Sequence, residues 1–144
     1  MAGADAAELE RRIASGEKLL IKVHGLATTG KGRVLTKSEY DRHYATPGEA
    51  RRVIEAMFRR TLLFMGCRLT IDRTLNVMKE VVAAKGHDNV PRHYALLADP
   101  GDEASRNMRR IELLECNIYP IWYPPKTDDE SIEAYLIKLA GSVE

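Results

Sequence analysis

The sequence predicts an α/β fold, a three-layer sandwich with a mostly parallel sheet of about four strands and helices on both faces. Three observations predict it. Short apolar runs at residues 19–23, 93–98 and 118–123 are separated by stretches whose apolar residues recur at helical spacing. Helix-start signatures stand between the runs. The 144 residues, 44% hydrophobic and 30% charged, fit one domain that buries roughly 68–70% of its unfolded surface. With no repeat or long linker, residues 1–144 read as a single domain, with 1–16 as a peripheral helix and 25–46 as a long polar loop.

Taken in order, Asp5 to Ser15 holds good helix formers with Gly16 as the stop, and its thin apolar content sets this helix on the surface. Leu19-Leu20-Ile21-Lys22-Val23 reads as the first strand, followed by the Gly-rich polar stretch 25–46. Thr46-Pro47-Gly48-Glu49 offers a Thr cap, a Pro in the first turn and an N3 Glu. The helix expected there carries Val53, Ile54, Met57, Phe58, Leu62 and Phe64/Met65 and runs to Gly66. Cys67 to Thr70 is a short strand or a turn. Asp72 then caps a helix with Leu75, Met78 and Val82 inward.

His93 to Ala98 is the clearest buried strand, and Asp99-Pro100-Gly101-Asp102 turns the chain into a helix with Met108, Ile111 and Leu114 as its apolar face. Ile118 to Tyr123 is a further strand. Its Pro120 lacks an N–H, which assigns it to an edge or a bulge. Thr127 to Glu130 opens a last helix with Ile132, Tyr135, Leu136 and Leu139 inward and Gly141 as its end.

Composition narrows the function. No apolar run approaches the ~20 residues of a spanning helix, and the first residues carry no signal-peptide core. Two distant cysteines make no disulfide framework, which favours a reducing, cytoplasmic setting. Lys/Arg outnumber Asp/Glu by 13 to 9 over residues 1–72, whereas the remainder has 9 against 12. A basic half of that kind suits an anionic partner.

The run Gly25-Leu-Ala-Thr-Thr-Gly30-Lys31 has the spacing of a phosphate-binding loop up to its Lys. Gly32 stands where a magnesium-holding Ser or Thr belongs, so the reading is an anion site built from backbone N–H groups, Gly30, Lys31 and Arg33. Tyr40 and Tyr44, interleaved with Lys37, Arg42 and His43, supply rings for base stacking. In a parallel sheet the C-terminal strand ends line the ligand crevice. His24 and Asp99 fall at such ends and form a candidate acid–base pair. No Cys/His spacing supports a zinc site, and no cofactor is named.

The leading reading is therefore a phosphate-ligand domain that binds a nucleotide or nucleic acid through 25–46 and acts on a phosphodiester. A second is a non-catalytic interaction subunit, homodimeric through the 118–125 edge with Tyr119, Trp122 and Tyr123. A third is a metal-dependent nuclease using Asp99, Asp102 and Glu103, helix-start acids that capping explains equally well.

Overall fold

A computed structural model of the protein describes residues 6–17, 36–45, 48–70, 73–125 and 130–141. These form six α-helices and a three-stranded sheet, the α/β class that the alternation of elements predicts. The helices are α1 (Ala6–Ala14), α2 (Lys37–Tyr44), α3 (Glu49–Met57), α4 (Arg73–Lys85), α5 (Glu103–Leu114) and α6 (Glu130–Gly141). The strands β1 (Leu63–Phe64), β2 (His93–Ala98) and β3 (Ile118–Tyr123) lie in the order β1-β2-β3, all parallel. The strand expected at 19–23 lies outside the described residues.

Strand β2 is central, and its two faces differ. His93, Ala95 and Leu97 point one way and are buried, joining Leu75, Met78, Val82, Leu113 and Ile118 in the main core. The crossovers β1-α4-β2 and β2-α5-β3 step the same way along the sheet. Right-handed connections therefore lay α4 and α5 on this one face. The other face carries Leu63, Tyr94, Tyr119 and Ile121, paired by register and all but Tyr119 more than a third exposed. Helix α1 docks through Leu9 onto Val53 and Ala56 of α3, a small second cluster.

Among the described residues strand β3 is an edge, as Pro120 implies, and its register against β2 runs without a bulge. Asn117 O accepts from His93 N–H and Tyr123 O accepts from Asp99 N–H, at 3.0 and 2.8 Å. Odd-numbered residues of β3 thus bond to β2, and even-numbered ones face the outer edge. Pro120 sits at an outward position, where its missing N–H breaks no bond within the sheet.

Four expectations are corrected. Within the stretch read as a polar loop, residues 37–44 are helical, because Thr36 and Glu39 form a reciprocal capping box. Helix α3 is capped by Gly48 rather than Thr46, since a Cβ at 48 would lie 2.6 Å from the Ala45 carbonyl oxygen. It also ends at Met57, well short of Gly66. The apolar run 62–65 goes to the sheet instead: Leu62 O accepts from Tyr94 N–H at 2.8 Å, and Leu62 N–H donates to His93 Nδ1 at 3.2 Å.

The last correction concerns the two final helices. Met108 and Ile111 of α5 are 61% and 67% exposed, and Tyr135, Leu136 and Leu139 of α6 are also exposed, leaving Ile132 as the buried residue of α6. Helix α5 turns Ser105, Arg109 and Leu113 inward, because Arg109 finds backbone carbonyl partners there. A hydrogen-bonded arginine took the place that hydrophobicity alone gives to Met108. Beyond α5, Asn117 holds a left-handed backbone (φ 55°). Its buried amide donates to the carbonyls of Val90 and Pro91, at 2.8 and 3.2 Å.

Candidate functional site at the carboxyl ends of the strands

A cavity of about 730 Å³ opens at the C-terminal ends of the three strands. That volume lies in the range of small-molecule sites, and the position is where open parallel sheets bind ligands. The segment after β1 supplies Gly66, Cys67 and Arg68; β2 ends at its floor with Leu97 and Ala98. Ser105 and Arg109, one turn apart on α5, form a wall, and Trp122 with Ile132 completes the lining. Trp122 packs against the main core rather than outward.

The charged residues between β2 and α5, next to the cavity, are committed to the turn and the helix start. Arg106 makes a two-pronged pair with Asp99, Nε–Oδ1 2.9 Å and Nη2–Oδ2 2.7 Å. Asp99 also accepts from Gly101 N–H at 2.9 Å, closing the turn between β2 and α5. The Arg106 hydrogen bonds first, and then the Gly101 N–H, hold the Asp99 carboxyl below its ordinary range. Asp102 caps α5 by accepting from Ser105 N–H at 2.8 Å, which lowers its own pKa. Two carboxylates thus already occupy the positive end of α5, and a phosphate there would meet like charge.

The segment after β1 is different. The Arg68 guanidinium, at the cavity wall, makes no ion pair among the described residues. Its backbone is fixed from across the cavity. Arg109 Nη2 donates to Arg68 O at 2.7 Å and to Leu69 O at 2.5 Å, while Nη1 holds Glu112 at 2.7 Å. Gly66 and Leu69 both have positive φ, 66° and 48°. A leucine in that region costs on the order of 1–2 kcal/mol, and charge-assisted hydrogen bonds of ~1.5–3 kcal/mol each offset it. The Leu69 side chain, buried in the main core, anchors the far end of the arch.

Among the residues singled out from sequence, Asp99 falls between the lining residues Ala98 and Pro100 but does not itself line the cavity, and its carboxylate is committed to Arg106. His24, Gly30, Lys31 and Arg33 lie outside the described residues. Tyr44, read from sequence as a base-stacking ring, is 9% exposed and belongs to the core. Tyr40 stacks on Tyr44 at 6.3 Å and carries the Arg73 guanidinium 5.3 Å above its ring, so its faces are already engaged, and neither tyrosine lines the cavity. Asp102 and Glu103 serve the start of α5. Among the described residues no three His, Cys, Asp or Glu side chains are grouped to hold a metal ion. Nor is any helix among them long and apolar enough to cross a membrane.

Sequence reasoning missed Gly66, Arg68 and Arg109. A signal was present: Leu62-Leu63-Phe64-Met65-Gly66 is a continuous apolar run stopped by glycine, the pattern of a buried strand feeding a tight turn. Compared with known families, residues 1–121 match the SIR2-like domain. No curated protein matches the chain.

Proposed function

Because the chain belongs to the SIR2-like domain family, which is Rossmann-like and nucleotide-binding, we propose that the cavity at the ends of β1, β2 and β3 is its nucleotide site. The observation that carries this is Arg68, without an ion pair among the described residues and held on a glycine-led turn that lines that cavity. A nucleotide needs a cation for its phosphates, a close backbone approach and an apolar slot for its base. Arg68 supplies the first, and the open space around Gly66, with no atom within 4 Å of a Cβ built there, the second. Leu97 and Trp122 supply the third. The volume accommodates a dinucleotide of the NAD class, the cofactor that the family implies, with Arg68 on its pyrophosphate. Such a ligand would supply an activated leaving group at its glycosidic and pyrophosphate bonds. This chain's residues would hold it, shield its base and neutralise its charge.

The residues read from sequence belong to the same proposal. Lys31 and Arg33 act as further phosphate contacts, and His24 as the acid–base residue for chemistry on the ligand. Asp99, saturated by Arg106, serves the turn instead. Trp122 is the chain's single tryptophan and lines the cavity, so its fluorescence reports occupancy. Titration with NAD, ADP and a short oligonucleotide should quench it, and Arg68→Ala should weaken ADP about tenfold and flatten the salt dependence. Absence of any nucleotide response at millimolar concentration would refute the assignment. Binding of the oligonucleotide alone would replace it with a nucleic-acid site.

A further inference from the structure

The nucleotide reading leaves Arg109 unexplained. It lines the cavity and carries a positive charge, and the obvious role is a second phosphate ligand. Its geometry says otherwise. Both donors of Nη2 are turned away from a ligand and onto two successive backbone carbonyls, Arg68 O and Leu69 O, while Nη1 is occupied by Glu112. A guanidinium with its fork engaged in this way has little left to offer an incoming phosphate.

The carbonyls it holds are not ordinary ones. They belong to the arch that leaves β1 at Gly66 and enters the core at Leu69, both at positive φ. Among the described residues 65–70 have no helix or strand to fix them. Leu69 is secured by its buried side chain, whereas Arg68, whose side chain must face the ligand, has no such anchor. Across the cavity, α5 is secured through Leu113 in the core and through its Asp102 cap. Arg109 therefore ties the arch to a rigid helix, at the residue that presents the phosphate contact.

Resting on that nucleotide reading, we propose that Arg109 is a positioning residue. It clamps the 66–69 arch through the Arg68 and Leu69 carbonyls, and thereby sets the shape of the cavity and the aim of Arg68 without touching the ligand. A clamp and a phosphate ligand make different predictions. Loss of a phosphate contact weakens ADP and spares adenosine, and it flattens the salt dependence. Loss of a clamp deforms the whole slot and weakens both ligands, ADP the more because Arg68 also loses its aim.

The experiment compares wild type, Arg68→Ala, Arg109→Gln and Arg109→Lys. Adenosine and ADP are titrated against Trp122 fluorescence, and amide hydrogen exchange is followed at residues 67–70 and in β2. The expected result in Arg109→Gln is a loss of about tenfold for adenosine and a somewhat larger one for ADP. Arg109→Lys, which keeps the charge but has a shorter reach and cannot hold both carbonyls while keeping the Nη1 contact to Glu112, should behave similarly. Arg68→Ala should spare adenosine. Exchange at 67–70 should accelerate at least tenfold in Arg109→Gln while β2 amides keep their protection, which separates arch release from global destabilisation.

Three results would overturn the proposal: a loss confined to ADP, wild-type affinity in Arg109→Lys, or unchanged exchange at 67–70 in Arg109→Gln. If wild type binds neither ligand, the nucleotide reading falls, and the exchange measurement alone still decides whether Arg109 clamps the arch.

Discussion

Acidification should destabilise this protein at a single buried imidazole before it reaches any carboxylate. His93 is fully buried at the start of β2, and burial pushes its pKa down from 6.5 to about 4. Its Nδ1 accepts from Leu62 N–H, and its ring meets Phe58 edge-on at 4.6 Å, so protonating Nδ1 also sets two donors against each other. The unfolded chain takes up this proton near pH 6.5 and the folded chain only near pH 4. Between those values the unfolded state binds more protons, and stability falls as pH falls. The stability lost amounts to about 3 kcal/mol, nil above pH 7 and complete once the pH is below about 4. Asp99 and Asp102, with lowered pKa values, lose their contributions at more acid pH still. Urea unfolding at half-unit intervals from pH 7.5 to 4.5 should move the midpoint down by roughly 1–2 M. His93→Asn keeps an acceptor for Leu62 N–H and removes the titrating group. It should cost about 1–2 kcal/mol at pH 7.5 and flatten the profile. A wild-type profile already flat between pH 7 and 5, or a variant with the wild-type slope, would refute the assignment to His93.

Trp122→Ala, which strips a ring packed against the core, should cost about 2–4 kcal/mol in urea unfolding and leave the sedimentation coefficient unchanged; a change in association state would move Trp122 to an interface. Asn117→Ala leaves buried carbonyls without their donor and replaces a residue that tolerates a left-handed backbone with one that does not, at φ 55°, an expected cost of about 3 kcal/mol by thermal unfolding, and Asn117→Gly should recover roughly 1 kcal/mol of it. Lys31→Ala with Arg33→Ala should weaken ADP and flatten its salt dependence as Arg68→Ala does, while leaving the unfolding midpoint within experimental error; equal affinity would remove both residues from the site.

The parts of the fold that sequence reveals are those where local chemistry and tertiary placement agree. Strands β2 and β3 are bounded by turn residues and made of apolar runs too short for helices, and both emerge at their expected limits. Helix α5 begins at Asp102 because an aspartate there satisfies the N–H of Ser105 whatever the helix packs against. Where several local solutions compete, tertiary contacts decide. Leu62 to Met65 continues the helical spacing of Val53 to Phe58, and only the presence of β2 draws it into a ladder. The site was half legible for the same reason. The rule that ligands gather at strand ends pointed to Asp99, which follows β2 between two residues that line the cavity. Whether a carboxylate is available or spent depends on Arg106, and whether an arginine meets a ligand or a carbonyl depends on geometry seven residues and forty residues away. Capping signals escaped notice at Thr36 because the surrounding stretch is so polar that no apolar stripe announces a helix.

Pro120 has a consequence for how this chain behaves in crowded solution. The stretch Ile118-Tyr119-Pro120-Ile121-Trp122-Tyr123 is uncharged and, its proline aside, rich in β-formers, the composition of a fibril-forming segment. It lies at the rim of the sheet, where an incoming strand would seek a row of donors. Of the three residues whose backbone faces outward, the middle one has no hydrogen to give. A visiting strand would register with Ile118, lose its next bond at Pro120 and find the ladder again only at Trp122. The proline thus works as a gatekeeper placed inside the hazardous hexapeptide rather than beside it. Pro120→Thr would complete the row of donors, and an otherwise innocuous substitution would turn a terminated sheet into a template.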